Sequence, residues 1–131
     1  MTKTITAWKE KQQFESHLSH NKIAIDGDKQ NGFGPKALLL SALAACSGID
    51  IVEILEKMRV EFSAFEIETE ADQTTEHPRV FKDFFITYKM KTNAANEEKV
   101  RKAIELSLGK YCGVSAMLKK NSAIHYHLVI S

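Results

Sequence analysis

The sequence predicts an α+β fold, with a mostly antiparallel sheet packed on one long apolar helix. Three observations carry that prediction. Residues 37–46 hold one polar side chain, Ser41. Residues 65–72 and 84–91 alternate in hydrophobicity with a period of two. The segments run as strands, long helix, two strands, two helices and a closing strand, an order that excludes the regular β-α alternation of a parallel α/β fold. A chain of 131 residues is the size of one domain, spanning 1–131, and can bury a core without disulfide staples.

The first strands are short. Thr4 to Trp8, Gln13 to Leu18 and Lys22 to Ile25 suit extended backbone, and Asp26-Gly27-Asp28 ends this part in a turn. Asn31-Gly32-Phe33-Gly34 is a glycine-bearing approach to a helix. It lacks the lysine and hydroxyl that follow in a phosphate-binding loop, so it reads as a turn. Pro35 sits in the first helical turn, where its missing N–H costs nothing.

The helix from about Pro35 to Met58 has two halves. Its first half should be buried on all sides. Its second half is amphipathic, with Asp50, Glu53 and Lys57 on one side and Ile51, Leu55 and Met58 on another. The whole run is long enough to consider as a membrane span. Asp50, Glu53, Glu56 and Lys57 argue against that, because charge in lipid is costly.

Phe65, Ile67, Thr69 and Ala71 then alternate with Glu66, Glu68, Glu70 and Asp72. After a polar turn, Phe84, Ile86, Tyr88 and Met90 alternate with Phe85, Thr87, Lys89 and Lys91. The acidic outer row beside the lysine-bearing one predicts favourable cross-strand pairs. Asn96 is the expected N-cap of the next helix, with Glu97 and Glu98 at its positive end. Val100, Ala103, Ile104, Ser107 and Leu108 form its buried stripe, and Gly109 is the expected stop. A short helix from about Cys112 to Lys119 precedes a strand from Ala123 to Ile130. One chain has little material to enclose the apolar helix, so a dimer covering it from both sides is expected.

Composition narrows the function classes. A net charge of +1 and no basic block give no nucleic-acid footprint. The start, Met1-Thr2-Lys3-Thr4-Ile5, lacks the apolar stretch of a secretory signal, so a cytoplasmic location is expected. Thiols stay reduced there, which disfavours a lasting structural disulfide. Two cysteines remain, Cys46 inside the apolar helix and Cys112 in Lys110-Tyr111-Cys112-Gly113-Val114-Ser115. Thiol redox chemistry needs one cysteine to attack and one to resolve the oxidised product. The bland alternative is that both are small core residues. His125 and His127 share a strand face, but one His-x-His pair lacks a clear third metal ligand and reads as part of a strand surface.

Two motifs resemble the OsmC/Ohr family, named for osmotically induced protein and organic hydroperoxide resistance protein. The first is Gly34-Pro35, then eleven positions to Cys46, with Ala42, Ala44 and Ala45 leading into it. The second is Cys112-Gly113-Val114-Ser115 with Asn121 and a final strand. His77-Pro78-Arg79 adds to the likeness. The resemblance implies an OsmC-like fold, a curved sheet against a central helix in an intertwined homodimer, with strands of residues 1–30 pairing with the partner subunit. It implies a cysteine-based peroxidase acting on organic hydroperoxides or hydrogen peroxide. Cys46 would be the attacking thiol and Cys112 the resolving one. No bound cofactor is implied; an external dithiol or lipoylated protein would reduce the disulfide.

The chain departs from that pattern at two places. The family's peroxidases hold the thiolate with an N-terminal arginine, and here no arginine precedes Arg59. They carry a glutamate after the motif proline, and here Lys36 stands there. Lys36 supplies charge but not a planar two-donor grip. His17 and His20 lie where the arginine is expected and carry positive charge when protonated. Asp50 is one helical turn beyond Cys46; its charge alone would raise the thiol pKa, so it helps only by orienting a cation or accepting a proton through water. Arg59, Arg79 and Arg101 are the remaining candidate cations. These departures motivate a rival reading, a non-catalytic relative that binds a small hydrophobic or thiol ligand in the dimer cleft.

Overall fold

A computed structural model describes residues 1–131. The chain divides into two compact units, Met1–Leu39 and Leu40–Ser131.

In the first unit, β1 (Ile5–Glu10), β2 (Gln13–Leu18) and β3 (Asn21–Asp26) form an antiparallel meander. All six β1 side chains are exposed, including Ile5 and Trp8. The turn after β3 is organised by buried Asp26. Its carboxylate accepts from the N–H groups of Asp28 at 2.9 Å and Asn31 at 3.0 Å. Those bonds hold the Asp26 carboxyl below its ordinary pKa, the Asp28 N–H contributing most and burial opposing it. Gly32 passes so close to β3 that a Cβ there would lie 2.6 Å from the Ala24 carbonyl oxygen, so only glycine fits. The glycine-bearing stretch is thus a turn, as expected.

Helix α1 runs Pro35–Lys57, its first turn in the first unit. It ends in an αL cap. Arg59 takes φ 58°, the Val60 N–H bonds the Leu55 carbonyl at 3.0 Å, and the Arg59 N–H bonds that of Glu56 at 3.0 Å.

The second unit continues with β4 (Ser63–Gln73), β5 (Phe81–Lys91), α2 (Glu97–Leu106), α3 (Gly113–Leu118) and β6 (Ala123–Ile130). β5 is central, paired antiparallel with β4 and parallel with β6. The period-two rows appear as read: Phe84, Ile86, Tyr88 and Met90 are buried, and Lys89 Nζ reaches Glu68 Oε1 at 2.6 Å across the outer face. The core joins that row to Leu43, Ile51 and Leu55 of α1 and Val100, Ala103 and Ile104 of α2. Gly48 is buried against β4, where a Cβ would lie 2.9 Å from Ile67 Cδ1.

Three local expectations are corrected. Asn96 makes no side-chain cap. Asn93 does, its side chain accepting from the Ala95 N–H at the start of a 3-10 turn, Ala94–Asn96, that leads into α2. Gly109 does not stop the helix. The chain continues as a π-turn, Ser107–Tyr111, closed by the Cys112 N–H on the Ser107 carbonyl at 2.7 Å. The apolar first half of α1 is not buried on all sides. Leu43 is fully buried, but Ser41, Ala42 and Ala45 are exposed, and Ile49 just beyond keeps 61% of its surface open. One sheet face covers only one side of a helix, so this chain leaves the other bare.

Candidate redox site

The site begins at two backbone features of the second unit. α1 presents Cys46 beside Leu43 and Ser47, one turn from the buried core positions. The π-turn ends at Cys112, whose extended backbone (φ −74°, ψ 105°) makes it the N-cap of α3. Its sulfur accepts from the Ser115 N–H at 3.3 Å, and the Ser115 hydroxyl bonds the Cys112 carbonyl at 3.0 Å.

This arrangement brings the two cysteines together. Their thiols interact, Cys46 being one of the groups that raise the Cys112 pKa, although they lie 66 positions apart in the chain. No disulfide joins them. Cys112 is only 3% exposed, whereas Cys46 is half-buried and reachable. Burial pushes the Cys112 thiol above its ordinary pKa of 9.0. The Ser115 N–H acts the other way, and Cys46 adds to the rise. A helix N-terminus tends to lower a thiol pKa, but this six-residue helix offers little dipole, and desolvation wins.

Behind the thiols lies a polar network that sequence reasoning missed. The Tyr88 hydroxyl lies 2.7 Å from Ser47 Oγ. Ser107 Oγ lies 3.0 Å from Ser47 Oγ and donates to Asp50 Oδ2 at 2.9 Å. Ser47, Tyr88 and Ser107 are all fully buried. Burial pushes the Tyr88 phenol up to about 12, the Ser47 bond opposing the shift. A serine inside an otherwise apolar stripe was the available signal, since a buried hydroxyl requires a partner. Asp50, placed on the Cys46 side of α1 by spacing, is engaged here by Ser107 rather than by a cation.

His17, on β2, bonds Glu15 Oε1 at 2.8 Å, and Glu15 also stands 3.9 Å from both Lys9 and Lys22. His20 is exposed in the β2–β3 turn, and Lys36 is exposed in the first turn of α1. Arg101 pairs with Glu97 at 3.2 Å along α2. His125 bonds Asp83 at 2.9 Å and stacks on Phe85 at 5.1 Å, as a strand-surface residue does.

A half-exposed and a buried cysteine in contact on this α+β scaffold define a two-thiol protein, and comparison with known proteins places it. The family of OsmC-like proteins matches residues 26–127, and the chain belongs to that OsmC/Ohr family, whose members include peroxide-resistance proteins. It is similar to Protein YhfA of Escherichia coli K12, 32% identical over 103 residues, covering 78% of this chain and 77% of that protein. A hypothetical protein from Aquifex aeolicus superposes with a TM-score of 0.85 at 27% identity, covering 100% of this chain and 98% of the other. The organic hydroperoxide resistance protein OhrB of Bacillus subtilis shares the fold, with a TM-score of 0.66, 18% identity and coverage of 98% and 97%.

Proposed function

We propose that this protein is a thiol-dependent hydroperoxide reductase in which Cys46 attacks and Cys112 resolves. The contact between the two thiols carries the reading. The half-buried Cys46 meets the peroxide, while the buried Cys112 is shielded from direct oxidation. The Cys46 thiolate takes the terminal oxygen of ROOH as the O–O bond breaks. Cys46 becomes a sulfenic acid, and the alkoxide leaves and takes a proton to form ROH. The Cys112 thiolate then attacks the Cys46 sulfur, and the sulfenic oxygen leaves as water after protonation. The resulting disulfide is returned to two thiols by an external dithiol, or by a lipoylated protein, which is itself oxidised.

Cys46→Ser abolishes peroxide consumption under dithiol turnover; a serine variant as active as the parent refutes the assignment. The rival, a non-catalytic protein binding a small hydrophobic or thiol ligand, is favoured by the absence of arginine before Arg59 and by Lys36 in place of glutamate. Titration of Cys46 separates the two. A thiolate formed well below about 8.5 belongs to the peroxidase, and an unreactive thiol belongs to the binder.

The proposed assembly is a cytoplasmic homodimer, working with neither nucleic acid nor membrane. Two separate surfaces support it. A groove of about 690 Å³ runs between the bare side of α1 and β4, lined by Ala44, Ala45, Ile49, Val52, Phe65 and Ile67. The three-stranded N-terminal sheet exposes Ile5, Trp8, Leu18 and Ile23. Apolar surface on this scale is what a partner subunit would cover.

A further inference from the structure

Two thiols form a disulfide quickly only when the elements carrying them are held in register. Here Cys46 is on α1 and Cys112 ends a π-turn, and nothing covalent joins those elements near the site. One residue bridges them. Ser107 is fully buried at the first position of the π-turn, and its side chain and main chain face different partners. Its hydroxyl donates to Asp50 Oδ2 at 2.9 Å and lies 3.0 Å from Ser47 Oγ and 3.4 Å from the Ser47 carbonyl oxygen. A serine hydroxyl has one proton, so the carboxylate, the stronger acceptor, takes it and leaves the Ser107 lone pairs for Ser47. Its carbonyl receives the Cys112 N–H at 2.7 Å. One residue therefore grips the neighbour of Cys46 and the backbone of Cys112 together.

The π-turn is what makes this possible. An α-helix continued through Gly109 would bond residue 112 to residue 108. The wider turn bonds it to Ser107, the residue that also faces α1. The buried hydroxyls also leave few alternative arrangements, because moving Ser107 away would strand polar atoms in the core.

We propose that Ser107 is a positioning residue for disulfide closure, holding Cys112 in register with Cys46 through the Ser107–Ser47–Asp50 clasp. This deepens the peroxidase reading and rests on it only for the biological role; closure itself can be measured without peroxide. In glutathione buffers the two protein thiols are oxidised to the disulfide while glutathione disulfide is reduced to two glutathione molecules. The equilibrium gives the effective molarity of the pair. Ser107→Ala should lower that effective molarity about tenfold, since small misplacements of reacting groups are costly. With peroxide, it should leave Cys46 sulfenic acid formation within about twofold of the parent and slow disulfide closure by about tenfold, both followed by quenched-flow mass spectrometry.

Tyr88→Phe is the control. It removes a hydroxyl from the same network at comparable burial but leaves the clasp intact, so closure should be unchanged. Asp50→Ala breaks the clasp from its half-buried end and should lower effective molarity about threefold, which keeps the test open if Ser107→Ala fails to fold. Parity of Ser107→Ala, or of Asp50→Ala where it stands in, with the parent overturns the proposal. So does an equal loss in Tyr88→Phe, which would mean general destabilisation. A parent that closes its disulfide in glutathione buffer but consumes no peroxide overturns the peroxidase reading alone, and the variant comparison still decides this one.

Discussion

The rate of the resolving step should report the burial of Cys112. Only a thiolate attacks the Cys46 sulfenic acid. Burial, the largest influence on Cys112, raises its pKa above the ordinary thiol value. At neutral pH the protonated thiol is therefore the dominant form of Cys112. Disulfide closure should accelerate about tenfold per pH unit from pH 6 to pH 9, with no plateau in between. The assay mixes reduced protein with excess cumene hydroperoxide, quenches at timed intervals, and counts sulfenic acid and disulfide forms by mass. A closure rate that levels off below pH 8 would show a Cys112 acidified by its helix and would refute the desolvation argument. The same shift has a stability consequence of definite sign. The fold favours the neutral thiol, so its contribution is present below the unfolded pKa and lost as pH rises through the folded value. The urea midpoint of the reduced protein should decline above about pH 9, and Cys112→Ala should flatten that decline.

Other substitutions test the scaffold. Leu43→Ala empties a fully buried position between α1 and the sheet and should cost about 2–5 kcal/mol in urea unfolding; a loss under about 1 kcal/mol contradicts the packing. Arg59→Gly removes a side chain from φ 58° and should raise stability by about 1 kcal/mol, detectable as a higher urea midpoint at unchanged slope. Asp26, its pKa held below 3.8 chiefly by the Asp28 N–H, lends stability that is present above the unfolded value and lost as pH falls through the folded one. Asp26→Asn should thus flatten the stability curve between about pH 4 and pH 2, and an unchanged acid limb would remove the turn-organising role.

Local pattern made much of this fold legible. The alternation of Phe84, Ile86, Tyr88 and Met90 marked a half-buried strand, and the apolar run into Cys46 marked the central helix. What sequence withheld was partnership. Nothing in Ala123–Ile130 states the direction of its neighbour, so its parallel pairing with β5 was invisible. An apolar helix surface says that something must cover it, not that the cover belongs to the same chain. Gly109 looked like a stop because glycine favours helix ends, but the Ser107 clasp and the Cys112 N–H extend the turn past it. The cysteine pair was readable only as two motifs. Their contact, and the desolvation that sets Cys112 apart from Cys46, depend on the folded backbone. Ser107 was visible as a serine in an apolar stripe, but its partners Ser47 and Asp50 lie more than fifty positions away.

The parallel pairing of β5 with β6 has a consequence for the order of events in making the protein. Strands that run the same way cannot be joined by a hairpin, so the chain must travel from Lys91 around to Ala123 before the sheet is complete. That detour is the segment that carries Ser107 and Cys112. The second sulfur is thus delivered by the last connection the chain makes. If Cys46 reacts as proposed, peroxide arriving before that segment has docked would oxidise a thiol that lacks its resolving partner.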